Sequence, residues 1–235
     1  MTVANFALQL KTETKKSHTA AENTKFVGAF LRGVISKESY KQLVANFYFI
    51  YRAMEEEMEK LKDDPILSKI KFDCLNRTVN LERDLRYYYG PIWRHHITPT
   101  DQCQRYVNRI REVAHDDPEL LVGHHYTRYM GDLSGGQILR GIAEKALPLR
   151  DGEGLYFYEF DEIEDKKEFK DIYRSRLNEL PISQSQANAI ITEANFAFRL
   201  NMYMFDELEG NGFWSFLKVM FGFLKVNTNN WERSK

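Results

Sequence analysis

The sequence predicts an all-α fold of eight or so helices in one main domain. Three observations point there. Apolar residues recur at three- and four-residue spacing along most of the chain, and the breaks fall at Pro and Gly with Ser or Thr positioned to cap the next segment. The third is that 148–160 is the one non-helical connection of any length. At 235 residues, 43% hydrophobic and 29% charged, the chain can bury one sizeable core.

In chain order, the first helix is expected from Asn5 to Asn23 on the spacing of Phe6, Leu10, Thr14, Ser17 and Ala21. Gly33 closes a short second helix. Ser36 caps a third that runs to Lys62 through Tyr40, Leu43, Val44, Phe47, Tyr48, Ile50, Tyr51 and Met54. Its last turns, Glu55 to Lys62, read as a charged, solvated end before Asp63-Asp64-Pro65. After a short turn and loop comes a helix from Thr78 to Tyr89, ended by Gly90-Pro91. Another spans Thr100 to His115. From Pro118 the helical pattern continues to Leu147, and the aromatic run after it reads as an extended loop packed on helices. A helix from Glu164 to Glu179 ends at Pro181. Ser183 and Gln186 have capping-box form and start a last helix to Glu209, which Gly210 and Gly212 are expected to stop. The main domain is thus 1–210. Residues 211–235 form a tail whose apolar part, Phe213 to Val226, is expected to pack back as a short helix.

Composition excludes several classes. A formal net charge of −1 lacks the basic excess that nonspecific nucleic-acid binding needs. Cys74 and Cys103 are far apart and form no C-x-x-C, which argues against a disulfide framework and a zinc knuckle. No signal peptide and no run of about 20 apolar residues is visible.

Chemistry concentrates in two stretches. The first is Tyr126-Thr-Arg-Tyr-Met-Gly-Asp-Leu-Ser-Gly-Gly-Gln137, where Gly131, Gly135 and Gly136 cost roughly 2.5–3 kcal/mol if a helix runs through them. Glycine can return that cost as a kink or as bare backbone on which a flat ligand lies. It can also simply end one helix before another. The second is a stripe on the first helix, Lys11, Lys15, His18 and Glu22, spaced 4, 3 and 4. Neutral imidazole is a good ligand for haem iron, and a carboxylate on its other nitrogen tunes its basicity. The lysines could receive the propionates, joined by Lys170 and Arg174, which are also four apart. A plain solvated Lys/Glu face would look the same. Arg128 and Asp132, at i and i+4, could hold ordered water.

The remaining histidines offer less. His95, His96 and His115 fall in polar loops and helix ends, and adjacent His124 and His125 point about 100° apart and cannot share a metal. A di-iron site of the ferritin type needs two Glu-x-x-His pairs, and only Glu112-x-x-His115 is present.

These residues resemble haem oxygenases of the soluble cyanobacterial or algal-plastid type, from about Leu8 to Leu208. The resemblance rests above all on the long glycine motif and the histidine stripe, extended to Asn23. Phe47-Tyr-Phe-Ile-Tyr51 with Met54-Glu-Glu-Glu57, Tyr173-Arg-Ser-Arg176 and Asn195-Phe-Ala-Phe-x-Leu-Asn201 also carry it. It implies haem, as substrate and cofactor, between a proximal helix with His18 as axial ligand and a kinked distal helix over Gly131 to Gly136. Glu22, one turn from His18, is placed to contact its other ring nitrogen; by matching position, Gly131 and Gly135 touch the distal face, and Asp132 organises a water network with Tyr51, Arg128 and Asn201. Lys11, Lys15, Tyr126, Lys170 and Arg174 engage the propionates, and Phe198 lines the pocket.

The implied reaction uses O2 to convert haem to biliverdin IXα, carbon monoxide and ferrous iron. Ferredoxin is the implied electron donor and a bilin reductase a downstream partner, in bacterial cytoplasm or plastid stroma. No counterpart of the C-terminal membrane anchor of animal forms is expected here, and His125 and Met130 are local variations around the motif. A haem carrier or sensor would use the same pocket but would not need Asp132. A plain helical interaction module would bind no haem.

Overall fold

Capping and apolar spacing set the helices of the N-terminal half. In the computed structural model, α1 (Phe6–Glu22) is followed by α2 (Lys25–Leu31), whose first turn is capped by Thr24. Gly33, with φ of 69°, ends α2, a left-handed conformation that glycine adopts without steric cost. Ser36 then caps α3 (Lys37–Lys60) by accepting the Ser39 N–H at 3.0 Å. The structure describes residues 3–149 and 152–231, with side chains up to 208.

Helix α3 buries Tyr40, Leu43, Val44, Phe47, Ile50, Tyr51 and Met54 and packs against α4 (Thr78–Tyr89) and α5 (Asp101–Asp116). Its charged end is not uniformly solvated as expected. The Glu55 carboxylate turns inward and accepts the Arg77 and Thr78 N–H groups at 2.5 and 3.3 Å. These are orphan donors at the start of α4, which has no side-chain cap of its own, so a negative group is favoured there. The aromatic run likewise departs from an extended loop. Tyr156–Tyr158 forms a 3-10 turn because buried Asp84 accepts the N–H groups of Tyr156 and Phe157, each at 2.8 Å.

After a 3-10 turn at Pro118–Leu120, α6 (Leu121–His125), a π-turn (Tyr126–Met130) and α7 (Gly131–Ala146) form one continuous rod. The glycines therefore neither end a helix nor make the break in its regular winding. The irregularity is the π-turn just before them, an extra residue in the hydrogen-bond register of the kind common at functional sites.

Helix α8 (Lys166–Asn178) is capped by Asp165 and packs on α1. The capping box that starts α9 (Gln184–Trp231) is formed: Ser183 N–H donates to Gln186 Oε1 at 3.0 Å, and Gln186 N–H to Ser183 Oγ at 3.2 Å. The helix continues through Gly210 and Gly212 instead of stopping, since glycine lowers helix propensity by about 1 kcal/mol but leaves the N–H that proline removes. The expected packing of the tail lies outside the described side chains.

Helix α9 is the spine, in contact with α1, α2, α3, α5 and α6. Its crossing with α6 is close at Gly123, where a Cβ would stand 2.8 Å from Ala194 N and 2.9 Å from Ile190 O. A Cβ at Gly131, by contrast, would meet nothing within 4 Å. Gly123→Ala should therefore lose about 1–3 kcal/mol in urea unfolding, as overpacked sites do. Gly131→Ala should gain up to about 1 kcal/mol from helix propensity. Equal effects at the two sites would contradict this account of the crossing.

Candidate active site

The distal rod brings together the polar residues singled out in the sequence. At the π-turn, the Arg128 guanidinium donates from Nε to the Tyr51 hydroxyl at 3.0 Å and from Nη1 to Asn201 Oδ1 at 2.6 Å. Asn201 in turn donates to Ala197 O at 2.9 Å, which fixes its amide. The Tyr51 hydroxyl donates to Asp132 Oδ2, and Asp132 Oδ1 stands 3.9 Å from Arg128 Nη2. Phe47 and Tyr51 place their ring faces 4.4 and 4.9 Å from the guanidinium carbon. Four residues from α3, the rod and α9 thus form one buried polar network.

Burial shapes its electrostatics. The Asp132 carboxyl is raised above its ordinary value by desolvation, against the opposing pull of Arg128 and the Tyr51 hydrogen bond. Burial also raises the Tyr51 phenol. For Arg128, desolvation lowers the pKa but Tyr51 and Asp132 outweigh it, so the cation is firmly held.

Immediately beside Asp132 the helix is bare. The places where a Cβ would sit on Gly131 and Gly135 have no atom within 4 Å, which leaves an open backbone ledge. Gly136 differs: it is buried, and its Cβ would lie 3.4 Å from the Tyr158 ring, so it serves the packed side of the helix. Successive helix positions turn about 100°, which separates it from Gly135.

His18 lies on α1 with its side chain half exposed, and its Nδ1 is 3.5 Å from Glu22 Oε2. Its ring meets the edge of Phe198 on α9 at 5.7 Å. Phe198 and Asn201 are three residues apart, so one turn of α9 serves both His18 and Arg128. Lys11 and Lys15 are exposed on α1. Tyr126 reaches Thr14 of α1 and lies in the field of Arg174 on α8, which also pairs with Asp171. Lys170 is half-buried on α8. The contacts thus link His18 to Phe198 on α9, Asn201 on α9 to Arg128 and through it to Tyr51 and Asp132, and Tyr126 to Thr14 on α1, whereas Lys11, Lys15 and Lys170 are placed only by their positions on α1 and α8.

The two histidines of the rod, His124 and His125, are structural. His124 Nε2 is 2.9 Å from Glu193, which also receives a two-pronged bond from Arg109 at 2.9 and 2.8 Å. His125 packs against Tyr129 and Tyr173. Burial pushes the His125 imidazole down to about 3, whereas an unfolded chain titrates it near 6.5. Its contribution is complete above about pH 6.5 and is lost as pH falls toward 3, because only the unfolded state binds the proton. Urea unfolding should lose on the order of 3 kcal/mol between pH 7 and 4 from this residue, and His125→Phe should flatten that slope. An unchanged slope would show that His125 is not buried neutral.

Sequence reasoning missed Tyr129 and Glu55. Tyr129 donates to Glu55 Oε1 at 3.3 Å and sets its ring against Tyr51 at 5.6 Å, backing the network from behind. Tyr129 lay within the glycine motif, but the π-turn that directs it inward leaves no mark on residue spacing.

A half-exposed imidazole on α1 and a rod with a side-chain-free ledge, both reached by one turn of α9, define an all-helical protein with a buried polar network beside an open backbone surface. Comparison with known proteins agrees. The family model described as Heme oxygenase matches residues 4–207. "Heme oxygenase 1" of Synechocystis is 58% identical over 88% of this chain and 86% of its own length. "Heme oxygenase 1" of Nostoc is 52% identical over 99% and 95%. The crystal structure of heme oxygenase-1 from Synechocystis in complex with heme superposes with a TM-score of 0.89, at 54% identity, over 94% of this chain and all of that one. The chain belongs to the haem oxygenase family, whose activity is haem degradation. Among the described residues, no helix is long and apolar enough to cross a membrane.

Proposed function

We propose that this protein opens haem at the α-meso carbon, giving biliverdin IXα, carbon monoxide and ferrous iron, with O2 as oxidant and ferredoxin as electron donor. The observation that carries this reading is the placement of a buried carboxyl, Asp132, between two glycines whose faces are open. A site that only stores haem needs the ledge but not the carboxyl network. The residues present fit the group. His18 keeps a ring nitrogen clear of Glu22, and an added Cβ on Gly131 or Gly135 would meet no atom within 4 Å, so side chains do not cover the backbone there.

When bound, haem supplies both the iron that activates dioxygen and the ring that is oxidised. His18 would hold the iron, with Glu22 on its other nitrogen keeping the imidazole oriented. Lys11, Lys15, Tyr126, Lys170 and Arg174 would take the propionates, and Phe198 would line the ring edge. Asp132, its carboxyl raised above the ordinary range by burial, would hold and orient water over the ledge, through which protons could be relayed. Arg128, Tyr51 and Asn201 hold that carboxyl and its water in place. Close backbone along Gly131 and Gly135 would leave one meso edge open to attack. The biliverdin so formed would serve a bilin reductase, in bacterial cytoplasm or plastid stroma.

The test is a single turnover of protein loaded with one equivalent of hemin, given ferredoxin and its reductase in air. Loss of the Soret band with growth of the red biliverdin absorption supports the reading. A stable oxygenated complex without biliverdin would instead indicate a carrier. Ferredoxins are acidic, so the exposed lysines of α1 are the expected docking charges. Lys11→Glu with Lys15→Glu should slow ferredoxin-driven turnover about 10-fold or more at low salt and flatten its salt dependence. Because the same lysines would hold the propionates, rates are compared at matched haem occupancy. There, turnover driven by a small-molecule reductant should fall less than ferredoxin-driven turnover and show no change in salt dependence. Unchanged rates and salt dependence would remove this face from docking.

A further inference from the structure

The His125 side chain has no role in the reading above, yet it joins two of its parts. His125 Nδ1 lies 2.7 Å from the Tyr173 hydroxyl, and the two rings stack with an interplanar angle of 5°. Both side chains are buried, His125 at the last position of α6 before the π-turn and Tyr173 in the middle of α8. Tyr173 is flanked on α8 by Lys170 and Arg174. On its other side the His125 ring lies 4.4 Å from that of Tyr129, which backs Tyr51. Among the described residues, the His125–Tyr173 bond is the one hydrogen bond between α8 and the distal rod. A cavity of about 150 Å³, lined by His125, Tyr129, Glu55, Met58 and Phe72 among others, adjoins this contact. Space on that side means that packing alone does not fix the ring.

We propose that His125 is a positioning residue that ties α8 to the π-turn and so sets where Lys170 and Arg174 stand relative to the distal ledge. The inference rests on the haem reading for its functional consequence, but the tie is a property of the empty protein. A hydrogen bond between an imidazole and a phenol, both out of water, resists sliding of α8 because either group left unpaired would be a desolvated polar atom. Shifting α8 along the rod by one residue would displace both cations by about 1.5 Å. The propionates would then seat the ring at a different angle over the ledge.

The test compares His125→Phe, which keeps an aromatic ring but removes the bond, with His125→Asn, whose amide can take the place of Nδ1. Tyr173→Phe removes the same bond from the other side. In the haem-free protein, hydrogen exchange of α8 amides should quicken about 3–10-fold in His125→Phe and Tyr173→Phe, with no further change when the two are combined. His125→Asn should restore much of the protection. With hemin bound, the two bond-deleting variants should also alter the ratio of haem insertion isomers in proton NMR, and the Asn variant should not. Unchanged α8 exchange in His125→Phe would overturn the tie. Equal losses in the Phe and Asn variants would reduce His125 to packing. Altered exchange with an unaltered isomer ratio would overturn its role in seating haem. Wild-type protein that takes up no hemin would defeat the haem reading and this functional role with it, while the exchange result would still decide the tie.

Discussion

His18→Ala should leave a folded protein that degrades no haem. The side chain is half exposed on α1, beside Glu22 and the edge of Phe198, so its removal costs the fold little. The loss falls on the iron. Removing even an outer partner of a ligand usually costs 10–100-fold in affinity or activity, so losing the ligand itself should lower turnover by more than about 100-fold. Added imidazole should restore the spectrum of a nitrogen-ligated haem and part of the activity, a recovery that damage to the fold would not show. Glu22→Gln should have a smaller effect in the same direction. Normal turnover in His18→Ala would take His18 out of the site.

Asp132→Ala separates binding from chemistry. Asp132 is held by the Tyr51 hydroxyl and faces Arg128, but it projects from the same stretch of helix as the bare ledge. Hemin affinity and histidine ligation should stay within about threefold of wild type, because neither needs the carboxyl. Biliverdin formation should fall about 10²–10⁴-fold, the range lost with a positioned proton donor. Asp132→Asn should fall too, since an amide keeps the shape but cannot relay a proton as a carboxyl can. Rates near wild type in both variants would assign the network a purely structural purpose. The Ala variant also leaves Arg128 with a buried charge less well compensated, so a stability measurement belongs beside the kinetics.

Much of this was legible in the sequence because local chemistry decided it. Helix α4 runs from Thr78 to Tyr89 as punctuation by Gly90-Pro91 predicts, and Ser36 and Ser183 cap where their side chains can reach an orphan N–H. His18 and Glu22 meet because i and i+4 always share a helix face. What was not legible depends on partners distant in sequence. Glu55 sits in a run of charges that reads as solvated, and only the start of α4, more than twenty residues on, gives it a reason to turn inward. Gly123 looks like any isolated glycine until α9 crosses it. The π-turn adds a residue to the register without altering the apolar pattern enough to be read, and it is what brings Arg128 and Tyr129 to bear on Tyr51. Adjacent Gly135 and Gly136 must take separate faces on a helix, but that Gly136 is the packed one depends on Tyr158, more than twenty residues on.

The most direct test is a crystal structure of the hemin complex. The account predicts iron ligated by His18 Nε2, the opposite face of the ring against the backbone of Gly131 and Gly135, and propionates among the α1 lysines, Lys170 and Arg174. Iron held by a different residue, or a ring seated away from the Gly131–Gly135 ledge, would contradict it.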